Sequence, residues 1–396
     1  MIENHLTPVE SARLANEIYR VNEDDPIKLR DFLLQPLFRQ GGTTSPQVLK
    51  AKVGGRIIRA AEDAFGVAAF GAPGTPYAND LFLIFRGTTT ANRKADFVTD
   101  ARVGLNISKK GKPVHAGFNH TFNSMIRPIT DFIAGQTFSG RVHCIGHSLG
   151  GAVASLAADW CHPNVSREVI LYTFGQPRVG LMVFSSMTTL KLKKANIHRV
   201  FNTTDPVPMV PIFPYTHLPF GSYGHRLDSD DLITSGDAHK MTNYIGKINK
   251  LKTGTWQGVP RAKALFDHEH AIEEYLNSRR YENPMYPHTF EMLEGAIHWM
   301  LRKVLKNLVE VVNLVAIGVH TFIDLLAKEL HKIALLADAS SELVRKFMRK
   351  VMRVLGIPEK ILDANISLSF FTHLLRTLTR RMYELAQKAI RGSQPS

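Results

Sequence analysis

The feature that most constrains the fold of this chain is a strand-to-helix junction near its centre. Arg141 to Ile145 is a strand-like run, Gly146-His147-Ser148-Leu149-Gly150-Gly151 follows with no spacer, and Leu149 to Trp160 is Ala-rich with helical spacing. Glycines at such a junction let the backbone reverse sharply and let the helix lie close on a sheet. Junctions of this kind belong to folds whose parallel strands are joined by crossover helices. The same rhythm extends to both sides. GVAAFG, DLFLIFRG, RVHCIGHS, EVILYTFG and IHRVFN are short β-rich runs between Ala64 and about Asn243, and Asn119 to Ala134 has helical spacing. The fold class is therefore α/β, with a mostly parallel sheet.

The texture changes after Asn283-Pro284-Met285-Tyr286-Pro287. From Thr289 to Ile390 there is one further Pro, no strand signal and nearly continuous helical periodicity. The expected organisation is a sheet-bearing segment at 1–286 and an all-helical segment at 287–396. Val311 to Ile323 is the longest uncharged stretch of the tail. It contains Asn313 and His320 and falls short of the roughly 18 residues of a membrane span, so no transmembrane helix is expected. At the other end, Met1 to Tyr19 carries Glu3, Glu10 and Glu17 and lacks the continuous apolar core of a secretory signal. Thr7-Pro8-Val9-Glu10 reads instead as a capping box that opens a helix.

Composition narrows the function classes. With 44% hydrophobic and 21% charged residues the chain is neither disordered nor collagen-like nor a multi-span membrane protein. Cys144 and Cys161 are too few for a disulfide framework, which fits synthesis in a reducing compartment. The 49 Lys and Arg against 35 Asp and Glu leave a formal charge of +14, which attracts nucleic acid, anionic lipid or acidic partners. Nucleic acid is excluded because no basic patch is interleaved with stacking aromatics and no reading motif occurs. No metal or cofactor is expected, since the histidines lack ligand spacing and the cysteines form no CxxC.

Gly146 to Gly150 fits G-x-S-x-G, a pattern that a random chain of this length carries about one time in ten. Its context gives it meaning. A tight turn between strand and helix pushes Ser148 Oγ out of the sheet, at a helix N-terminus that favours developing negative charge. A serine hydroxyl needs a base, and in α/β hydrolases the acid and the histidine follow the serine in that order. Asp205 is the candidate acid, because it follows the strand-like Ile197 to Asn202 and precedes Pro206 at a strand's carboxyl end. For the histidine, His217, His225, His239, His268, His270 and His288 all lie downstream. Two segments compete, Asp237 to Tyr244 with His239 and His268 to Tyr275 with His270, each placing a His at a helix head with a Tyr five residues on.

Five motifs in order, two of them the elbow and Asp205 already described, carry a family resemblance. Phe85-Arg86-Gly87-Thr88 follows a strand, then come Val114-His115-Ala116-Gly117-Phe118, the GHSLGGA elbow, Thr173-Phe174-Gly175-Gln176-Pro177-Arg178-Val179-Gly180, and Asp205-Pro206-Val207-Pro208 with Pro211. Over about 60–245 the chain resembles the class 3 lipases, the family of filamentous-fungal triacylglycerol lipases. The resemblance implies an α/β-hydrolase core with a helical lid, here between Thr89 and Leu105, and cleavage of carboxylic esters of glycerolipids. It implies Ser148 as nucleophile, Asp205 as the triad acid, and an oxyanion hole formed by the backbone N–H groups of Thr88 and Leu149, with the Thr88 hydroxyl assisting. The chain departs from the family in having no Trp in Ala95 to Asp100, where the lid is usually anchored. Tyr223-Gly224-His225-Arg226 is similar to the family's penultimate strand, which favours His239 as the general base with His270 as runner-up. His225 is then structural, and His115 and His147 orient or pack.

The N-terminal Leu6 to Tyr19 pattern and the helical tail are together similar to bacterial class 3 lipases delivered as type VI secretion effectors. That likeness implies synthesis in the bacterial cytoplasm without a signal peptide, export by a signal-independent secretion system and action at target-cell membranes. It also implies an immunity protein and a secretion-apparatus component as partners. The expected function is a glycerolipid ester hydrolase, specifically a phospholipase A working through a Ser-His-Asp triad and an acyl-enzyme. Triacylglycerol or monoacylglycerol lipase is the alternative within the class. From another class comes a membrane-binding or membrane-perturbing protein that acts through its tail, with the hydrolase segment as a docking module. The tail has a matching signal: from Leu343 to Leu355 an apolar face opposes Arg345, Lys346, Arg349, Lys350 and Arg353. Such a helix lies on an anionic membrane surface or packs its apolar face into a bundle with its charges in water.

Overall fold

Thr7 begins the first helix, α1 (Pro8–Glu17). Its hydroxyl accepts the Glu10 N–H at 3.2 Å, and the Glu10 carboxylate accepts the Thr7 N–H at 2.8 Å. Two donors that a helix start leaves unpaired are thus satisfied reciprocally. The protein is seen here as a computed structural model that describes residues 5–21, 25–53, 61–88, 105–136, 138–212, 214–221, 224–229, 231, 233–262, 269–278, 286–304, 322–336, 339–364 and 366–392. The expected lid at 89–104 and the uncharged stretch at 311–321 lie outside the described residues.

After α1 come α2 (Pro26–Leu33), β1 (Gln47–Val53), β2 (Ala61–Phe70), β3 (Leu81–Phe85), β4 (Leu105–Ile107), β5 (Pro113–His115) and α3 (Ala116–Ile133). Then follow β6 (Val142–His147), α4 (Leu149–Asn164), β7 (Val169–Phe174), β8 (Gly180–Leu181), α5 (Met182–Leu192), β9 (Ile197–Asn202), β10 (Tyr215–Thr216), β11 (His225–Leu227) and α6 (Met241–Lys250). The main sheet has the order β1-β2-β3-β6-β7-β9-β11, parallel from β3 to β11 and antiparallel at the β1 and β2 edge. β3, β6 and β7 are buried throughout, as strands covered on both faces must be. Their side chains alternate between two cores with the period of two. Leu81, Leu83 and Phe85 face Phe122, Met125 and Val153 of α3 and α4, whereas Phe82 and Ile84 share a core with Leu14, Tyr244 and Ile248 of α1 and α6. This is an α/β-hydrolase core. A second, small antiparallel sheet of order β10-β8-β5-β4 stands beside it.

The tail consists of α7 (Glu269–Asn277), α8 (Pro287–Val304), α9 (Phe322–Ala334), α10 (Ala339–Leu355), α11 (Lys360–Ala364) and α12 (Leu368–Gly392). Its helices share one apolar cluster, which also takes in Val207, Val210 and Ile212 from the loop after β9. The basic helix α10 buries Val344, Phe347, Met348, Val351 and Met352 in that cluster, so its apolar face is already covered. Its charges are not simply solvated either. Arg345 donates to the Ala334 carbonyl at the end of α9, and Lys346, Lys350 and Arg353 donate to Asn277 and Ser278 at the end of α7. Arg345 and Arg353 thus meet backbone carbonyls at helix ends, where carbonyls lack a partner within their own helix, whereas Lys346 and Lys350 meet the side-chain oxygens of Asn277 and Ser278. Among the described residues no helix is long and apolar enough to cross a membrane, and no group of three or more His, Cys, Asp or Glu side chains could hold a metal ion.

Candidate active site

Parallel pairing of Phe85 with Gly146 brings the carboxyl ends of β3 and β6 side by side, so the Thr88 loop and Ser148 emerge next to each other. Ser148 has φ 56° and ψ −128°, a conformation that costs a side-chain-bearing residue about 1–3 kcal/mol. The turn is tight enough to require glycine around it. A Cβ on Gly146 would stand 2.2 Å from the Gly150 carbonyl oxygen, and one on Gly150 would stand 2.2 Å from that of Phe85. The elbow is tied to the next strand by the Ser148 N–H, which donates to Phe174 O at 2.9 Å.

Asp205 follows β9, and both of its carboxylate oxygens are engaged. Oδ1 accepts the Val207 N–H at 2.9 Å, and Oδ2 accepts the Tyr244 hydroxyl at 2.7 Å. His239 ends a short 3-10 turn, Asp237–His239, just ahead of α6. Its Nδ1 is 2.7 Å from Asp205 Oδ2 and its Nε2 is 2.8 Å from Ser148 Oγ. A carboxylate on one side fixes the proton on Nδ1 and leaves Nε2 to accept from the serine. Burial, and after it the nearby Asp205, pushes the Tyr244 phenol well above its ordinary range, so it stays a donor. His270 is exposed on α7 and takes no part in these contacts.

The other histidines have structural partners. His115 caps α3, its Nδ1 accepting from the Gly117 and Phe118 N–H groups, and burial lowers its pKa from 6.5 to about 4. His225 contacts the Val259 carbonyl and His198. His147 sits between Tyr19 and His239: its Nδ1 is 2.7 Å from the Tyr19 hydroxyl, and its Nε2 is 2.8 Å from the His239 carbonyl. Burial, then the neighbouring His239, holds the His147 pKa well below the usual value, so the ring is neutral. Tyr19 Oη also accepts the Gly87 N–H at 3.1 Å, which ties the N-terminal segment to the loop bearing Thr88. Tyr19 carries no motif of its own, and nothing in its sequence neighbourhood marks this role.

Around Ser148 lies a narrow apolar cavity with roughly 20 Å³ of free space, lined by Thr88, Leu149, Phe118 and Val210 and, from α12, Tyr383 and Ile390. Leu149 is the first residue of α4, where the N–H has no acceptor within its own helix. Ser148, Asp205 and His239 are all buried.

Residues 82–215 match the family Lipase (class 3). That segment of the chain is similar to the class 3 lipases. Thr88, Ser148, Leu149 and Asp205 fall inside the lipase match, whereas His239 and the tail lie beyond it. A secreted mono- and diacylglycerol lipase of Fusarium solani is 36% identical over 39% of this chain and 54% of its own. The chloroplastic phospholipase A(1) DAD1 of Arabidopsis thaliana is 29% identical over 33% of this chain and 34% of its own. Toxin TseL of Vibrio cholerae is 33% identical over 26% of this chain and 15% of its own. The chain spans about half, or less, of the length of these relatives.

Proposed function

We propose that the chain is a serine hydrolase of glycerolipid carboxylic esters, and that it acts as a phospholipase A. The observation that carries this reading is the unbroken line of hydrogen bonds from Ser148 Oγ through the His239 ring to Asp205. In the proposed reaction Ser148 Oγ bonds to the ester carbonyl carbon as its proton passes to His239 Nε2. Asp205 holds the imidazolium that forms. The N–H groups of Thr88 and Leu149 receive the oxyanion. Collapse breaks the bond to the alcohol oxygen, which takes the proton from His239 and leaves. Water then repeats the sequence on the acyl-enzyme, giving its proton to His239 and releasing the fatty acid and free Ser148.

A phospholipid substrate is favoured by the +14 charge, which attracts anionic lipid surfaces. The names of two relatives, a phospholipase A(1) and a toxin, support a lipid-attacking effector; that an immunity protein holds it in check and a secretion apparatus exports it is part of the proposal. Another relative is named a mono- and diacylglycerol lipase, so neutral acylglycerols form the second arm of the test. In this reading the 1–286 segment carries the chemistry and the 287–396 helices complete the molecule around it. The experiment is product analysis on vesicles of phosphatidylglycerol and phosphatidylethanolamine beside diacylglycerol emulsions, with wild type and Ser148→Ala. Free fatty acid and lysophospholipid should form from the vesicles. Ser148→Ala should lower the rate on the order of a million-fold while the melting temperature holds. Hydrolysis that survives Ser148→Ala would overturn the serine-hydrolase reading, and release from diacylglycerol alone would overturn the phospholipase assignment.

A further inference from the structure

One wall of the Ser148 cavity comes from outside the matched lipase segment. Tyr383 and Ile390 of α12 line it, more than 160 residues beyond the end of the match. They are seven residues apart, two helical turns along one face. Ala386 and Ala389 lie buried on the same side. Ala389 makes a close approach to the hydrolase core, since its Cα is 3.3 Å from where a Cβ on Gly236 would stand. Gly236 directly precedes the turn that holds His239. Small residues on both partners thus let α12 lie against the loop bearing the histidine. Further back along the helix, Phe371, Leu374, Leu375 and Leu378 are anchored in the tail's own core.

The cavity's roughly 20 Å³ is room for about one water, and an acyl chain needs many times that. Two of its sides give little. Ser148 and Leu149 belong to the elbow, and Val210 is held by the backbone bond from Arg178 N–H to its carbonyl. The α12 side is formed by side chains reaching across from another element. Tyr383 is also the one cavity-lining residue whose polar atom is buried with no hydrogen-bond partner among the described residues. Such a group is costly unless a ligand or water meets it.

We infer that the terminal helix supplies the acyl-selecting wall of the ester pocket, with Tyr383 and Ile390 setting the length and bulk of the chain that reaches Ser148. The inference rests on the ester-hydrolase reading above. It makes the tail a part of the substrate site.

The test compares kcat/KM on p-nitrophenyl butyrate, octanoate and laurate for the full chain and its variants. Tyr383→Ala and Ile390→Ala should each raise the laurate-to-butyrate ratio at least fivefold. Ile390→Trp should lower it by a similar factor, and Tyr383→Phe, which keeps the wall, should leave it unchanged. Ratios within twofold of wild type in all the folded variants would overturn the inference. Should Tyr383→Ala fail to fold, the two substitutions at the half-buried Ile390 decide the matter by the same criterion. A parallel Ser148→Ala measurement separates the two readings. If it abolishes hydrolysis while the ratios stay flat, the wall assignment alone fails, whereas hydrolysis that persists in Ser148→Ala removes the reading on which the wall assignment rests.

Discussion

Tyr19 shows how much of the site's geometry hangs on a single hydroxyl. Its oxygen accepts from the Gly87 N–H and meets His147 Nδ1, and His147 in turn contacts the backbone carbonyl of His239. One phenol therefore ties the loop of Thr88 to the residue that faces Ser148. The neutral His147 ring can play this part because its Nε2–H has only a carbonyl to meet, which leaves Nδ1 free to accept. Tyr19→Phe keeps the ring but leaves a buried N–H and a ring nitrogen short of this partner, a loss of about 1–3 kcal/mol. The expected outcome is a fall in kcat of roughly tenfold or more with a smaller change in KM, since the Thr88 side of the cavity would shift while Phe118, Val210, Tyr383 and Ile390 stay in place. Steady-state kinetics on a soluble ester check it, and an unchanged kcat would show that backbone packing alone holds the loop.

At the scale of elements, the docking of the N-terminal segment depends on a row of imidazoles. His5 Nδ1 is 3.2 Å from His198 Nε2, His198 Nδ1 is 3.4 Å from His225 Nε2, and His225 Nδ1 is 3.2 Å from the Val259 carbonyl. Each link uses one proton, so the row closes only while His198 and His225 are neutral, each accepting at Nε2 and donating from Nδ1. Trp256 stacks on His198 at 4.1 Å and donates to the Leu6 carbonyl, while Tyr172 Oη accepts the Leu6 N–H. Burial, above all other causes, lowers His225 from 6.5 to about 4 and His198 well below its usual value. The unfolded chain therefore takes up protons as pH falls through about 6.5 while the folded chain resists until about 4. Stability is complete above pH 6.5 and declines towards pH 4, by on the order of 3 kcal/mol for His225 alone. Urea unfolding at pH 7.5, 6.5, 5.5 and 4.5 should show that decline, and His225→Asn should make it shallower while the other buried histidines keep part of it. A midpoint constant across the range would contradict the buried neutral row. The basic helix α10 teaches a related lesson, because its alternation of apolar and cationic residues fits a membrane surface and a bundle equally well. Only its neighbours, the ends of α7 and α9, show where the cations go.

For the whole molecule, the decisive feature is that the tail's core does not close on itself. Val207, Val210 and Ile212 from the loop after Asp205 belong to it, and α12 packs against the turns 207–209 and 237–239. Losing either part strips apolar cover from the other, so the two should unfold as one unit. Scanning calorimetry of the full chain should give a single transition with calorimetric and van't Hoff enthalpies in agreement. Two resolved transitions would mean that the tail is an independent domain resting on the sheet-bearing segment. The apolar face of α10 is occupied, so under the proposed function attraction to an anionic surface would rest on net charge, which salt screens within about 8 Å at physiological strength.

The amino-acid sequence by itself determined the local devices. The α/β class follows from apolar runs alternating with helical spacing, and the N-terminal cap follows from Thr7 and Glu10. The elbow at Ser148 follows from glycines whose replacement would drive a Cβ into backbone, and the place of Asp205 from its position after a strand. All of these are legible because they depend on residues a few positions apart, where backbone sterics and side-chain periodicity act. Which histidine faces Ser148 was decided by the tertiary structure, since His239 and His270 each head a helix with a tyrosine five residues on. The roles of Tyr19 and Tyr383 are likewise set by contacts across more than sixty and more than two hundred residues of sequence. Such contacts leave no periodic trace in the chain. They arise only when separate hydrophobic faces find a common core and carry their polar atoms with them.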